Sequence, residues 1–233
     1  LSDPRETQKR QAAERAVDLV EDGMALGLGT GSTARHVLAV LAERRNRGEL
    51  KGIVGVPTST ATADLARELG IPITTLDART QLDLGIDGAD EVDPRLDLIK
   101  GLGGALLWEK IVASACARFV VVVDDSKLVD RLGTRAPLPV EVIPFGWRTH
   151  LHFLDDLGAR AELRMKGDDP FITDGGHYIL DCAFPEGIAD PVLIESALRA
   201  RAGIVDTGLF LGMAETIVIA GSTGVEVRQR KPE

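Results

Sequence analysis

The stretch MALGLGTGSTARHVLAVLAERR, residues 24–45, decides the fold. Residues 24–28 are a short apolar run of strand length, and Gly29, Thr30, Gly31, Ser32 and Thr33 follow as a loop of glycines and hydroxyls. Residues 34–45 then place Val37, Leu38, Val40 and Leu41 at helical spacing. Strand, small-residue loop and helix N-terminus in that order make a βα unit. Such a loop suits an anion, because glycines admit close approach and the helix start offers N–H groups and a partial positive charge. The alternative reading is an N-capped βα turn. It fits neither dinucleotide fingerprint nor P-loop. With Gly27 and Gly29 as the first glycines the third position is Ser32, Val56 is followed by Pro57 rather than an acid, and no lysine follows the glycines.

Outward from this unit the same grammar recurs. Residues 7–21 form an amphipathic helix that Gly23 ends, with Ala12, Ala13, Ala16, Val17 and Val20 on one face. Residues 53–56, 71–76, 82–86, 96–99 and 119–123 read as strands, and 61–69 and 104–117 as helices. Strands alternating with helices predict a largely parallel sheet, with ligand beyond the strands' carboxyl ends. After Lys127 prolines crowd in, at 137, 139 and 144. Strands at 137–144, 159–164, 171–173 and 177–183, helices at 148–157 and 191–200, and a hairpin signal at Asp174-Gly175-Gly176 predict a smaller α+β domain over 132–204. Residues 205–211 and 216–220 read as strands returning to the first domain, residues 1–131 and 205–233, and the polar tail from 224 as frayed.

Composition sets bounds. A chain of 233 residues that is 44% hydrophobic can bury a sizeable core, and no apolar run approaches the roughly 18 residues of a membrane span. The charged N-terminal stretch shows no secretory pattern, and Cys116 and Cys182 belong to no metal motif, so a cytoplasmic chain with two free thiols is expected. A net charge of −9 argues against a broad nucleic-acid or membrane surface, yet a few N–H groups and lysines still suffice for one phosphate.

The charged candidates gather in IDGADEVDPRLDLIKGLGGALLWEK, residues 86–110. Asp87 and Asp90 flank Gly88 and Ala89; they are ordinary turn residues or paired acids. Glu91 and Asp93 extend the run as a solvated face or a metal site. Lys100 ends an apolar run and enters Gly101, Leu102, Gly103 and Gly104, which puts an ammonium at a sheet's carboxyl edge. Glu109 follows on a helix, as a surface residue or as a base. Lys127 closes Asp124-Asp125-Ser126-Lys127, capping a strand or meeting phosphate, and His150 and His152 form an HxH without a third ligand.

Taken together, GLGTGSTA (27–34), GIDGADEVD (85–93), IKGLGGALLWEK (99–110), VVDDSK (122–127), LPVEVIP (138–144) and ITDGGHYILD (172–181) resemble the A-type ribose-5-phosphate isomerases over nearly the whole chain. The resemblance implies an α/β fold: a Rossmann-like parallel-sheet domain with a smaller α+β, ferredoxin-like, domain inserted near the C-terminus. It implies Glu109 as catalytic base, with Asp87 and Lys100 as supporting catalytic groups. Substrate contacts would be Thr30, Gly31, Ser32, Thr33, Asp87, Gly88, Ala89, Asp90, Lys100, Gly101, Leu102, Gly103, Lys127 and Lys9. It implies no metal, no organic cofactor, a phosphorylated sugar as substrate, and a homodimer or larger homo-oligomer. Trp108, where many members carry arginine, and Leu102, within the glycine run, depart from the pattern. Alternatives to the isomerase are a non-catalytic sugar-phosphate-binding module and a deaminase of an amino-sugar phosphate.

Overall fold

The computed structural model describes residues 4–231. Along the chain run α1 (Pro4–Val17), β1 (Ala25–Leu28), α2 (Ser32–Asn46), β2 (Val54–Pro57), α3 (Thr60–Glu68), β3 (Leu82–Asp87), β4 (Glu91–Val92), β5 (Leu98–Ile99), α4 (Leu106–Ala115) and β6 (Cys116–Asp124). Then follow β7 (Leu138–Val142), α5 (Thr149–Asp156), β8 (Arg160–Leu163), β9 (Met165–Lys166), β10 (Asp169–Pro170), β11 (Tyr178–Ala183), α6 (Pro191–Arg199), β12 (Ile204–Thr207), β13 (Leu209–Phe210), β14 (Thr216–Gly221) and β15 (Gly224–Gln229). Two compact units result. The first comprises the described residues up to 89, 108–127 and those from 212; the second comprises 90–107 and 128–211.

The first unit is built on a six-stranded sheet ordered β15-β14-β6-β3-β1-β2, parallel except for β15. Among its parallel strands the chain order is 2-1-3-4-5, a doubly wound arrangement whose direction of winding switches between β1 and β3. The buried run Val120–Val123 in β6 suits a strand covered on both faces. The main core gathers Ala12, Ala16 and Val17 of α1 and Leu38 and Leu41 of α2 against Leu26, Leu84, Val120 and Val218 of the sheet.

The second unit contains the succession β7-α5-β8-β11-α6-β12, whose strands make an antiparallel sheet ordered β12-β7-β11-β8. This is a split βαβ, ferredoxin-like arrangement. Leu138, Val140, Leu180, Ile194 and Leu198 form its core. A separate ladder, β13-β5-β4, carries Lys100 at its end.

Several expectations are corrected. Helix α1 runs from Pro4 to Val17 and not to Glu21; single turns occupy the next residues. Residues 71–76 give one bridge, Gly55 to Ile73, because Pro72 has no N–H to extend a ladder. Residues 171–173 form no strand: both edges of β11 are taken by β7 and β8, and the hairpin is reduced to a turn closed by the Gly176 N–H to the Thr173 carbonyl and the Thr173 N–H to the His177 carbonyl, both at 2.9 Å. Residues 205–211 do not join the six-stranded sheet. They break into β12, which pairs with β7, and β13, which pairs with β5. The tail is a strand over Gly224–Gln229, where β15 pairs with β14 from Thr216–Gln229 to Gly221–Gly224; residues 232–233 lie outside the described residues.

Candidate active site

At the carboxyl ends of β1 and β3, the switch point of the first unit, the glycine-hydroxyl loop meets Asp87. Asp87 is 2% exposed; its Oδ1 accepts the N–H groups of Thr30 at 3.1 Å and Gly88 at 2.7 Å. Gly29 makes this approach feasible, because a Cβ there would collide with the Asp87 carboxylate. Gly31 starts α2 at φ 105°, a region costly to other residues, and leaves Ser32 exposed at the helix N-terminus. Lys9, on α1, donates to Ser32 Oγ at 3.2 Å and to Glu6 at 2.9 Å. Thr33 lies beside Gly88. Lys127 lies in a single 3₁₀ turn after β6, the strand next to β3, and forms no ion pair among the described residues.

The Thr30 hydroxyl reveals a group that the sequence reading left without a role. It bonds to Thr58 Oγ1 at 2.7 Å, Ser59 Oγ at 2.9 Å and Thr62 Oγ1 at 3.0 Å, while Thr62 donates to the Gly29 carbonyl at 3.0 Å. The hydroxyl-rich loop after β2 therefore braces the loop after β1. Its signal in sequence was the hydroxyl run itself, and the missing fact was that β2 is the neighbour of β1.

Glu109 stands on the first turn of α4 and is 6% exposed, so it is no surface residue. One turn further, Val112 occupies the space that a Cβ on Gly27 would need, which seats α4 against β1. Trp108, on the same turn as Glu109, is exposed.

In the second unit Lys100 is 2% exposed, its ammonium 5.5 Å from the Phe210 ring centroid and its N–H bonded to the Gly208 carbonyl at 2.9 Å. Asp90 Oδ2 accepts the Leu102 N–H at 2.9 Å, so it holds the glycine loop. Gly101 and Gly104, at φ 106° and 85°, bend this loop into the start of α4. Glu91 is neither solvated nor a metal ligand. It is fully buried and accepts N–H groups from Gly133, Arg135 and Ala136 at 2.6, 2.6 and 2.7 Å. Asp93 likewise closes a turn, accepting from Arg95 at 2.8 Å and Asp97 at 2.9 Å. The HxH residues diverge: His150 is buried against Arg201, and His152 is exposed beside Asp156.

Comparison with known proteins places this arrangement. A family model for ribose 5-phosphate isomerase A (phosphoriboisomerase A) matches residues 54–224. A ribose-5-phosphate isomerase A of Roseiflexus castenholzii is 58% identical over 93% of this chain and 93% of its own. A D-ribose-5-phosphate isomerase structure in complex with phospho-erythronic acid superposes with a TM-score of 0.95 at 43% identity, covering 98% of this chain and 100% of its own. The Plasmodium falciparum ribose 5-phosphate isomerase gives 0.94 at 38% identity, covering 97% and 100%. With a family match over residues 54–224, and sequence identity and fold in agreement over nearly the full length, the chain belongs to the ribose 5-phosphate isomerase A family.

Proposed function

We propose that this chain interconverts D-ribose 5-phosphate and D-ribulose 5-phosphate, an aldose–ketose isomerisation of the non-oxidative pentose phosphate pathway, with Glu109 as the base. In the open-chain aldose the Glu109 carboxylate takes the proton from C2 and the electrons form the C1–C2 double bond of an enediolate; the proton of the C2 hydroxyl then passes to O1, O2 becomes the carbonyl oxygen, and Glu109 returns its proton to C1. The observation that carries the role of Glu109 is its burial at the start of α4, directly after the glycine loop. The oxyanion that develops is met by the Lys100 ammonium and by the N–H groups of Gly101 and Gly103, which make no hydrogen bond among the described residues. Asp87 shuttles the hydroxyl proton during ring opening. Thr30, Gly31, Ser32, Thr33, Lys127 and Lys9 hold the phosphate at the α2 N-terminus, Gly88 and Ala89 line the sugar, and Asp90 and Leu102 act through the loop geometry.

The chemistry needs no electron transfer, and no cofactor is assigned to it. The free thiols Cys116 and Cys182 support a reducing, cytoplasmic compartment. Among the described residues no helix is long and apolar enough to cross a membrane. Exposed Phe145 and Ile143 in the second unit support a homodimer or larger homo-oligomer, which light scattering of purified protein would check.

The test is Glu109→Gln. Turnover of ribose 5-phosphate should fall by roughly 10²–10⁴ while substrate binding is retained. Near-normal turnover would refute the base, and a wild-type chain that binds the sugar phosphate without converting it would leave a binding module.

A further inference from the structure

The glycine loop after Lys100 is held by a side chain that plays no part in the chemistry above. Arg164 follows β8. Its Nη1 donates to the carbonyls of Gly101 at 2.9 Å and Leu102 at 3.1 Å. Its Nε donates to Asp181 Oδ2 at 2.9 Å and its Nη2 to Asp181 Oδ1, a two-pronged pair that only a guanidinium makes. The side chain is 12% exposed. Phe171, 5.9 Å from the guanidinium carbon, fills the space that a Cβ on Gly104 would occupy.

These contacts fix peptide planes. In a trans peptide the carbonyl of one residue and the N–H of the next point in opposite directions. Arg164 takes the Gly101 carbonyl and Asp90 takes the Leu102 N–H, so one peptide is gripped at both ends. Arg164 also takes the Leu102 carbonyl, and that turns the Gly103 N–H away from the guanidinium. A loop of three glycines in four residues would otherwise sample many orientations. Carbonyl bonds are what a cation supplies here; a neutral acceptor could not replace it.

We infer that Arg164, oriented by Asp181, is a positioning residue for the isomerisation: it sets the peptide planes of residues 101–103 so that the Gly103 N–H faces the developing oxyanion. The inference rests on the reaction assigned above. Arg164 touches no reacting atom, and its effect is expected on kcat more than on KM, because misaimed donors weaken transition-state binding.

The experiment compares wild type, Arg164→Ala, Arg164→Lys and Asp181→Asn, with kcat expressed per folded molecule and amide hydrogen exchange followed over residues 101–104. Arg164→Ala should lower kcat by about tenfold or more with KM within about threefold, and added guanidinium ion should restore part of the rate. Exchange should quicken at Leu102 and Gly104, whose N–H groups are bonded to Asp90 and to the Gly101 carbonyl. Arg164→Lys should recover part of kcat through one carbonyl bond, and Asp181→Asn should lower it by about threefold. Should Arg164→Ala fail to fold, Arg164→Lys and Asp181→Asn decide the matter alone. Unchanged kcat in the folded variants, or unchanged exchange in the loop, overturns the inference while leaving the reaction intact. A wild-type chain without turnover overturns the reaction, and the positioning role of Arg164 in it, whatever the exchange shows.

Discussion

Asp87 illustrates how much a single buried carboxylate asks of its neighbours. Charge-assisted bonds of the kind it accepts from Thr30 and Gly88 contribute about 1.5–3 kcal/mol each in general, and both depend on the bare backbone at Gly29. Gly29→Ala should displace the carboxylate, cost about 1–3 kcal/mol by overpacking and reduce turnover strongly; urea melts and a kinetic assay check both. An alanine variant of normal stability would show that the loop relaxes freely. Cys116, half-buried behind β1, offers a second test. Burial first, and the charge of Asp87 after it, push its thiol up to about 12, against a bond with Gly27 that lowers it. Burial pushes Cys182 up as well. Neither is a thiolate near neutrality, so the native chain should resist iodoacetamide and take up label at both positions only in denaturant, as read by mass spectrometry. Rapid native labelling of either would refute this. At this scale the sequence was informative where residue type stands out: Asp87, Lys100 and Glu109, to which the proposed chemistry is assigned, were legible as charges amid glycines. Arg164 was not. It sits more than sixty positions from the carbonyls it holds, in a stretch with no motif of its own.

Elements were legible where burial imposed a period and illegible where pairing alone decided. Helix α2 and strand β6 carry their apolar patterns openly. Strand β15 does not: it is an edge strand with Val225 and Val227 still exposed, so no stripe marks it. Conversely, the apolar runs at 71–76 and 171–173 look like strands; the first lies on the open edge of β2 but Pro72 holds it to a single bridge, and the second finds both edges of β11 taken. Glu91 was misread for a related reason, since an acid in a charged run signals solvent unless the backbone donors that bury it are known. Helix α3 shows how an element serves the loop beside it. Ser59 caps it, accepting the Thr62 N–H at 3.0 Å, and the same hydroxyl takes the Thr30 proton at 2.9 Å. Ser59→Ala should therefore cost about 1 kcal/mol from the cap alone, and more from the Thr30 network. Denaturant titration measures the sum. A loss of less than a few tenths of a kcal/mol would mean that solvent replaces both bonds.

For the whole molecule, βα alternation announced a parallel sheet, but the strand order that puts a switch point between β1 and β3 follows from crossover handedness and packing, which local patterns do not encode. Each unit carries its own core, and a titratable group lies buried in the second. His150 is 2% exposed, and its Nδ1 accepts the Arg201 Nε–H at 3.0 Å. Arg201 is fixed in turn by the Thr149 carbonyl at 2.7 Å and the Phe153 ring at 4.4 Å. Protonation would place a proton on the nitrogen that accepts, and a second cation against the guanidinium. Burial, then Arg201, accordingly hold the imidazole below its ordinary 6.5. The sign follows from proton linkage: the unfolded chain binds this proton more readily, so stability is fully present above about pH 6.5 and is lost as pH falls through the folded-state value. Glu6 and Glu43, held low chiefly by hydrogen bonds from Lys9 and Arg10, act in the same direction but only below their ordinary 4.5. Acidification from about pH 7.5 to 5.5 should thus lower the urea midpoint, with amides around α5 and residues 200–204 losing hydrogen-exchange protection before those of the six-stranded sheet. His150→Gln keeps an acceptor for Arg201 and removes the titration, so its midpoint should vary less over that range. An equal slope in wild type and variant would place the acid sensitivity elsewhere.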